Sequence, residues 1–292
     1  MKFWGRFSRS IFRFLAKAQL IKVQPKLLES VLRKSTLMLD IEMLSEIRSF
    51  ILSQQTKQGG FADRGGKTDL YYSLFGYFVA EALSVTEVNE PLKIYTKEVV
   101  GKNKLTSVYL YCGAILYAKL IGLDETTEKL RIQIVSDLAG KPSKQPEYSG
   151  FLGVLALFYL EDFLSLQRVL NQFKGSSLFK GNLPCPVVAA NAFIQRIAGR
   201  QSPDLIEKLM KFHRENGGFC ALHRAPSEDL LSTGVALFAL QFLEADLRFI
   251  KPDCLGFIDD LYDQGGFRST SSDSMTDIEY TFYGLLALGS LS

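Results

Sequence analysis

The chain has 292 residues, of which 47% are hydrophobic, 22% charged and 12% aromatic. This composition supplies a sizeable apolar core and excludes a disordered, collagen-like or disulfide-stapled chain. The net charge of +3 is uneven, because residues 1–28 carry seven Lys or Arg and no acid, which leaves −4 for the rest. The body of the protein therefore gives no reason to expect nucleic-acid binding, and no uncharged apolar run is long enough to span a bilayer.

Residues 1–26 form a basic amphipathic segment ahead of the main domain. Its cations recur at helical spacing and fall on one face: Lys2, Arg6, Arg9, Arg13 and Lys17. A basic face opposite Trp and Phe side chains is typical of a helix that lies in a membrane interface. We therefore expect residues 1–20 to bind anionic membranes peripherally, in a cytoplasmic protein. A helix packed on the domain and a targeting presequence are the alternatives.

Three near-identical turns punctuate the rest of the chain, and each follows an amphipathic segment. The turns are Gln58-Gly59-Gly60-Phe61, Asn216-Gly217-Gly218-Phe219 and Gln264-Gly265-Gly266-Phe267. Each is followed by a polar loop that ends in an aspartate, and each aspartate begins an apolar helix. These aspartates are Asp69, Asp229 and Asp277. Such self-similarity at a near-constant period is the signature of a repeat architecture.

Apolar and amphipathic helices alternate through the whole domain. Apolar helices are predicted to begin near Thr68, Thr106, Tyr148, Pro184, Asp229 and Asp277. Amphipathic helices are predicted at Ile41–Gln54, Pro91–Val100, Thr126–Leu138, Leu164–Phe173, Pro203–Glu215 and Leu255–Tyr262. A helix that is apolar all round must be buried, whereas one with a single apolar stripe lies at the surface. Residues 27–292 are therefore predicted to form six helical hairpins without strands, as an inner barrel inside an outer barrel. The first and last hairpins should be neighbours in a closed ring.

The Q/N-G-G-F turns and the D-x-x-x-T-x-(F/Y)-G-L-x-A-L helices that follow them resemble the α/α toroid of protein prenyltransferase β subunits and terpenoid cyclases. The likeness covers residues 30–292 and is sharpest at 58–78, 216–240 and 264–288. This resemblance implies an all-α toroid that handles an isoprenoid or another lipid. It also implies a protein partner, because the resembling prenyltransferases work with a helical α subunit.

The metal site of the resembling prenyltransferases is not retained. Those enzymes hold zinc with the Asp and Cys of a D-x-C motif and with a later His. Here Asp229 matches the aspartate, Leu231 stands at the cysteine position and Tyr280 stands at the histidine position. Because leucine cannot coordinate a metal, we predict no zinc and no other cofactor. The D-x-D-D acid motif of the resembling cyclases is also missing, and the Asp259-Asp260 pair is expected on a solvated outer face.

Polar groups around one mouth of the barrel are the candidate catalytic residues: Asp69, Asp229, Asp277 and Tyr280. The alternative for the three aspartates is helix capping, although such a ring could also form an acid cluster with Glu279. Without the metal, we expect Asp229 and Tyr280 to lie close together at the mouth, joined directly or through water.

Aromatic and basic side chains are the candidate substrate-binding residues: Tyr72, Phe75, Tyr109, His223, Arg224 and Tyr283. An aromatic, apolar cavity suits an isoprenoid chain, although aromatic stripes also serve as core packing. His223 and Arg224 lie near the place where the resembling enzymes hold a diphosphate, and a solvated loop is the alternative. The four cysteines and His213 are expected to be structural.

Two functions follow from these observations. The first is an isoprenoid- or lipid-handling protein, a divergent transferase or cyclase that works without zinc. The second is a non-catalytic lipid-binding or protein-interaction module on the same fold, in which capping residues have replaced lost active-site groups. Turnover of a bound lipid would separate the two.

Overall fold

The computed structural model describes residues 27–102, 105–140, 148–172, 182–197 and 203–292, so the basic segment 1–26 lies outside the described residues. The helices are α1 (Leu28–Ser35), α2 (Ile41–Gln54), α3 (Leu70–Ala82), α4 (Asn89–Lys102), α5 (Ser107–Leu120), α6 (Glu125–Gly140), α7 (Tyr148–Tyr159), α8 (Phe163–Gln172), α9 (Cys185–Ile197), α10 (Pro203–Met210), α11 (Leu230–Phe242), α12 (Lys251–Asp260) and α13 (Ile278–Leu291). In the described part of the chain, no helix is long and apolar enough to cross a membrane.

The odd-numbered helices from α3 to α13 are the inner barrel, and the even-numbered helices from α2 to α12 are the outer layer. Each inner helix begins within two residues of its predicted start. Inner helix α13 buries almost its whole length, whereas outer helix α2 buries only Ile47 and Ile51. The predicted alternation of buried and half-exposed helices is therefore confirmed. All four cysteines are buried free thiols, as expected.

The inner barrel is a closed ring. Each inner helix packs against the next one, and α13 packs against α3. The Phe75 ring of α3 lies 4.9 Å from the Phe282 ring of α13. In the outer layer, a Cβ atom added to Gly265 would lie 2.4 Å from the Glu46 carbonyl oxygen of α2, so the last glycine turn packs on the first outer helix. The predicted adjacency of the first and last hairpins is confirmed.

Short antiparallel ribbons follow the first and sixth outer helices, and isolated bridges follow the fifth, so the prediction of a strand-free chain is wrong. The strands are β1 (Phe61–Ala62), β2 (Thr68–Asp69), β3 (Tyr262–Asp263), β4 (Gly266–Arg268) and β5 (Thr276–Asp277). In each turn the phenylalanine pairs with the aspartate that begins the next inner helix, as Phe61 with Asp69 and Phe267 with Asp277. Strands of two or three residues are too short for an alternating pattern to be detected.

The ribbons also account for two wrong helix ends. The fifth outer helix stops at Met210 instead of Glu215, because the amide of Cys220 donates to the carbonyl of Phe212 and a turn replaces the last helical turn. The sixth outer helix spans Lys251–Asp260 instead of Leu255–Tyr262, because Tyr262 pairs with Phe267 as a strand.

On three inner helices, α3, α11 and α13, a hydroxyl group anchors the phenylalanine of the preceding turn. The amide of Phe61 donates to the Ser73 hydroxyl at 2.9 Å, and that hydroxyl donates to the Asp69 carbonyl at 2.5 Å. Thr233 and Thr281 make the equivalent pair of contacts in the fifth and sixth hairpins. A Cβ atom added to Gly76 would lie 2.4 Å from the Phe61 ring. The threonine or serine and the glycine of the repeat therefore form the seat of this phenylalanine.

Helix α1 covers the barrel at the C-terminal ends of the inner helices. It packs against α13 and α3, and a Cβ atom added to Gly289 of α13 would lie 1.9 Å from the Val31 carbonyl oxygen. Lys119, near the end of α5, lies 3.1 Å from Glu29 of α1 and 3.7 Å from Glu81 of α3. The sequence did not predict this helix. It leaves the opposite end, where the inner helices begin, as the mouth of the barrel.

Candidate functional site

The three repeat aspartates cap the inner helices at the mouth. Each carboxylate accepts a hydrogen bond from the backbone amide three residues later in the chain. Asp69 accepts from Tyr72 at 2.7 Å, Asp229 from Ser232 at 2.7 Å and Asp277 from Tyr280 at 2.8 Å. The capping interpretation is therefore confirmed for all three. Burial raises the pKa of each of these carboxyl groups, against the lowering effect of the cap hydrogen bonds.

A buried carboxyl group, that of Glu279, lies beside this ring of caps. The Glu279 side chain belongs to the first turn of α13, and the residue is only 9% exposed. The Tyr71 hydroxyl donates to its Oε1 atom at 2.6 Å, and the Tyr72 hydroxyl is a second donor. Burial raises the pKa of Glu279 to about 7, and the negative charge of Asp277 adds to the effect. Glu279 can therefore hold or release a proton close to neutral pH.

Arg64 joins the first hairpin to the last across the mouth. It lies in the loop between β1 and β2, and its Nη2 atom contacts Asp273 at 2.8 Å while its Nε atom donates to Asp277. Its guanidinium group also lies 5.0 Å from the centre of the Tyr280 ring. Both carboxylates therefore pair with this one cation. The negative charge of Asp277 favours the neutral form of Glu279, and the positive charge of Arg64 opposes it.

Aromatic side chains continue from Glu279 down the barrel. The Tyr71 and Phe75 rings of α3 meet edge to face at 4.8 Å, and Phe75 packs against Phe282. One helical turn below, Phe78 lies 6.0 Å from Tyr159 of α7. Helices α3 and α7 are separated in the ring by α5, so this contact crosses the interior. The face of α3 that carries Tyr71, Phe75 and Phe78 therefore points to the barrel axis.

Two inner helices on the other side of the ring expose apolar side chains. Helix α7 leaves Phe151, Leu155 and Phe158 half-buried, and α11 leaves Leu231 and Val235 half-buried. These positions recur every three or four residues, so each set lies on one face of its helix. Helices α7 and α11 therefore each present a partly accessible apolar face, and the two faces together are called the apolar wall.

Several of the predicted site residues meet at this mouth. Tyr72 and Tyr280 lie near Glu279. Burial is the main cause that raises the pKa of both tyrosines, to about 12 for Tyr280, and the negative charge of Glu279 adds to the effect. The Tyr109 hydroxyl reaches the second oxygen of Asp69 at 3.4 Å. Phe75 lies on the axis-facing side of α3 described above. Tyr283 is only 1% exposed and serves as core packing.

The two basic candidates in the fifth loop do not join this group. The His223 ring stacks on Phe212 with centroids 4.0 Å apart, and its carbonyl accepts a hydrogen bond from Arg214 at 2.6 Å. Its ring is therefore directed at the end of outer helix α10. Arg224 is exposed in the same loop. No hydrogen bond or ion pair links either side chain to the mouth carboxylates within the described residues, and the diphosphate role stays a prediction.

The residues at the family's zinc positions do not fit zinc. Leu231 belongs to the apolar wall. The Tyr280 ring lies beneath the Arg64 guanidinium group, and burial raises the pKa of Tyr280 to about 12, so its phenol stays neutral. Asp229 is close enough to add to the Tyr280 pKa shift, but the described residues contain no direct hydrogen bond between the two. No three His, Cys, Asp or Glu side chains converge on a metal position in the described ranges.

Sequence reasoning missed the two residues that organise the mouth. Arg64 stands three residues after Phe61, in a loop whose direction the sequence does not fix. Tyr71 lies next to the candidate residue Tyr72, and the sequence alone does not show which of the two hydroxyl groups reaches Glu279. A signal was present for Glu279, since it is an acid in the first turn of an otherwise apolar helix. Such a residue at a buried position requires a partner.

Comparison with known proteins gives a family and no closer relative. No curated protein matches the sequence at a significant level. A family model described as the prenyltransferase alpha-alpha toroid domain matches residues 14–111 and 159–292, which is most of the chain. The closed ring of inner and outer helices and the repeated glycine turns agree with that match. The chain therefore belongs to the prenyltransferase alpha-alpha toroid family.

Proposed function

We propose that this protein binds an isoprenoid or another long apolar lipid along the barrel axis, and that it does so without zinc. The apolar wall of α7 and α11 carries the proposal, since Phe151, Leu155 and Val235 are apolar side chains of inner helices that remain partly accessible. Transfer of an apolar chain from water to such a wall is favourable, at about 25 cal/mol per Å². Family membership supports the same location for a ligand.

The polar groups at the mouth suit the head of such a lipid. Glu279, Tyr71 and Tyr72 stand at the end of the aromatic face of α3, so an apolar tail in the axis would bring its head to them. A carboxyl group with a pKa of about 7 is also a suitable general acid near neutral pH. In the catalytic form of the proposal, Glu279 donates its proton to the bound lipid, and the Tyr71 hydroxyl stabilises the carboxylate that remains.

A non-catalytic role is the second candidate, and the capping geometry favours it. Asp69, Asp229 and Asp277 each use one carboxylate oxygen as a helix cap, and Arg64 holds Asp277 further. These three acids therefore have structural duties that need no substrate. On this alternative the chain is a lipid-binding or protein-interaction module.

Native mass spectrometry of the full chain, purified without chelators, tests the lipid proposal directly. We expect a bound lipid that organic solvent releases, and calorimetric binding of geranylgeraniol to the protein after delipidation. The Leu155→Trp variant fills the axis and should weaken this binding at least tenfold. Leu123→Trp places the same side chain at a position that is 50% exposed and outside the inner barrel, and should leave binding unchanged. Equal binding by the two variants, or no binding by the unmodified protein, would refute the proposal.

Turnover separates the two candidates. The bound lipid is incubated with the protein and analysed by chromatography with mass detection. Conversion that is lost in the Glu279→Gln variant supports catalysis by Glu279. An unchanged lipid in both proteins supports the binding module.

A further inference from the structure

The charge at the mouth determines which head group the axis can accept. Four carboxyl groups lie around the first turns of α3 and α13: Asp69, Asp273, Asp277 and Glu279. Among the described residues, Arg64 is the one cation in contact with any of them, and Asp273 and Asp277 both pair with it. Its positive charge is therefore already neutralised. Among the described residues, no second cation contacts these four carboxyl groups.

Neutral hydrogen-bonding groups, in contrast, are concentrated where a head group would arrive. The hydroxyl of Tyr71 contacts Glu279, and Tyr72 and Tyr280 flank the same carboxyl group. Burial and the charge of Asp277 raise the pKa of Glu279 to about 7, so below that pH most of its carboxyl groups are protonated and can donate a hydrogen bond as well as accept one. The aromatic rings of Phe75 and Phe282 begin directly beneath these groups. A small uncharged polar head on an apolar chain matches this order.

We infer that the mouth selects a lipid whose head is an uncharged hydroxyl or carbonyl group over the corresponding diphosphate ester. This inference rests on the proposed lipid-binding function. A diphosphate would bring several negative charges against Asp69, Asp277 and Glu279 in a partly buried site, where like charges repel strongly. An alcohol would exchange its hydrogen bonds with water for bonds with tyrosine hydroxyls and the Glu279 carboxyl group.

The test compares geranylgeraniol with geranylgeranyl diphosphate, which have the same apolar chain and differ only in the head. Both are titrated calorimetrically into the full-length protein at pH 7. We expect the alcohol to bind at least tenfold more tightly. Equal or tighter binding of the diphosphate would overturn the inference and would leave the lipid-binding proposal standing. Binding of neither probe would refute the proposed function itself, and this inference with it.

The pH dependence of alcohol binding identifies the group responsible. The alcohol does not titrate in this range, so a change between pH 6 and pH 8.5 must come from the protein. The other groups around Glu279 are Tyr71, Tyr72 and Tyr280, together with Arg64 and the aspartates. We expect affinity to fall several-fold from pH 6 to pH 8.5 as Glu279 loses its proton.

Three variants complete this experiment. Glu279→Gln keeps a neutral donor at every pH and should abolish the pH dependence, and Tyr71→Phe should weaken alcohol binding at both pH values. Glu98→Gln, on the exposed face of α4, is the matched control and should behave as the unmodified protein does. Circular dichroism confirms that each variant is folded. An unchanged pH dependence in Glu279→Gln would contradict the assigned role of Glu279.

Discussion

Replacement of Gly265 by alanine tests the closure of the ring at the joint between the last hairpin and the first. Gly265 has φ +86°, a conformation that alanine adopts only with strain. A Cβ atom at this position would also lie 2.4 Å from the carbonyl oxygen of Glu46 and 2.6 Å from its carbon. These are backbone atoms of α2, so relief requires the last turn and the first outer helix to move apart.

The two costs add to a measurable destabilisation. The left-handed conformation costs a residue with a Cβ atom about 1–2 kcal/mol, and overpacking against a rigid neighbour costs about 1–3 kcal/mol. We therefore expect Gly265→Ala to lower the free energy of unfolding by about 2–5 kcal/mol. Gly256→Ala is the matched control, because Gly256 lies within helix α12 with nothing within 4 Å of an added Cβ atom. There alanine should stabilise the protein by about 0.5–1 kcal/mol.

Urea unfolding monitored by circular dichroism measures both variants against the unmodified protein. The ring geometry predicts that Gly265→Ala lowers the free energy of unfolding and that Gly256→Ala raises it. Because alanine affects the unfolded chain equally in the two variants, that effect does not explain a difference between them. A Gly265→Ala variant as stable as Gly256→Ala would show that the turn does not pack on α2. The closed arrangement of the outer layer would then be wrong.

Three further predictions concern the mouth and the N-terminal segment. Folding raises the pKa of Glu279 from 4.5 to about 7. Its contribution to stability should therefore be present below pH 4.5 and lost, by about 3 kcal/mol, as the pH rises to 7. The difference in unfolding free energy between the unmodified protein and Glu279→Gln should show this trend, and a difference that is constant with pH would contradict it. Elemental analysis of chelator-free material should find far less than one zinc per chain, and stoichiometric zinc that is lost in Asp229→Ala would refute this. Deletion of residues 1–20 should abolish salt-sensitive sedimentation with anionic vesicles, and unchanged sedimentation would exclude the interfacial helix.

The architecture could be predicted from the sequence because its signals are redundant. Three glycine turns mark equivalent points, and each is followed by an aspartate, a hydroxyl residue and an apolar helix. The structure explains the redundancy, since the Phe61 amide, the Ser73 hydroxyl and the Asp69 carbonyl form one hydrogen-bonded unit. Helix α1 escaped prediction because it belongs to no repeat. Its place is set by its packing on the inner helices, for example on Gly289 of α13.

The mouth could be predicted only in part, because its polar contacts join residues far apart in the chain. Arg64 and Asp277 are separated by 213 positions, and Tyr71 and Glu279 by 208. Ring closure brings these pairs together, but the direction of the loop after β1 decides which side chain reaches which. No local pattern records that direction. The pKa of Glu279 depends on the same closure, because both tyrosine donors come from the first hairpin.

The retained aspartate at the family's zinc position is explained without a metal. Asp229 makes the same cap as Asp69 and Asp277, with the same amide contact at 2.7–2.8 Å and the same extended backbone. The resemblance assigns no metal to Asp69, yet Asp69 makes the same cap. The cap alone therefore accounts for an aspartate at the start of each of these inner helices, including Asp229. Function must therefore be inferred from positions that the cap leaves unconstrained. At two of the zinc positions of the resembling transferases the chain carries Leu231 and Tyr280, and between Asp277 and Tyr280 it carries Glu279, an acid whose pKa burial raises to about 7.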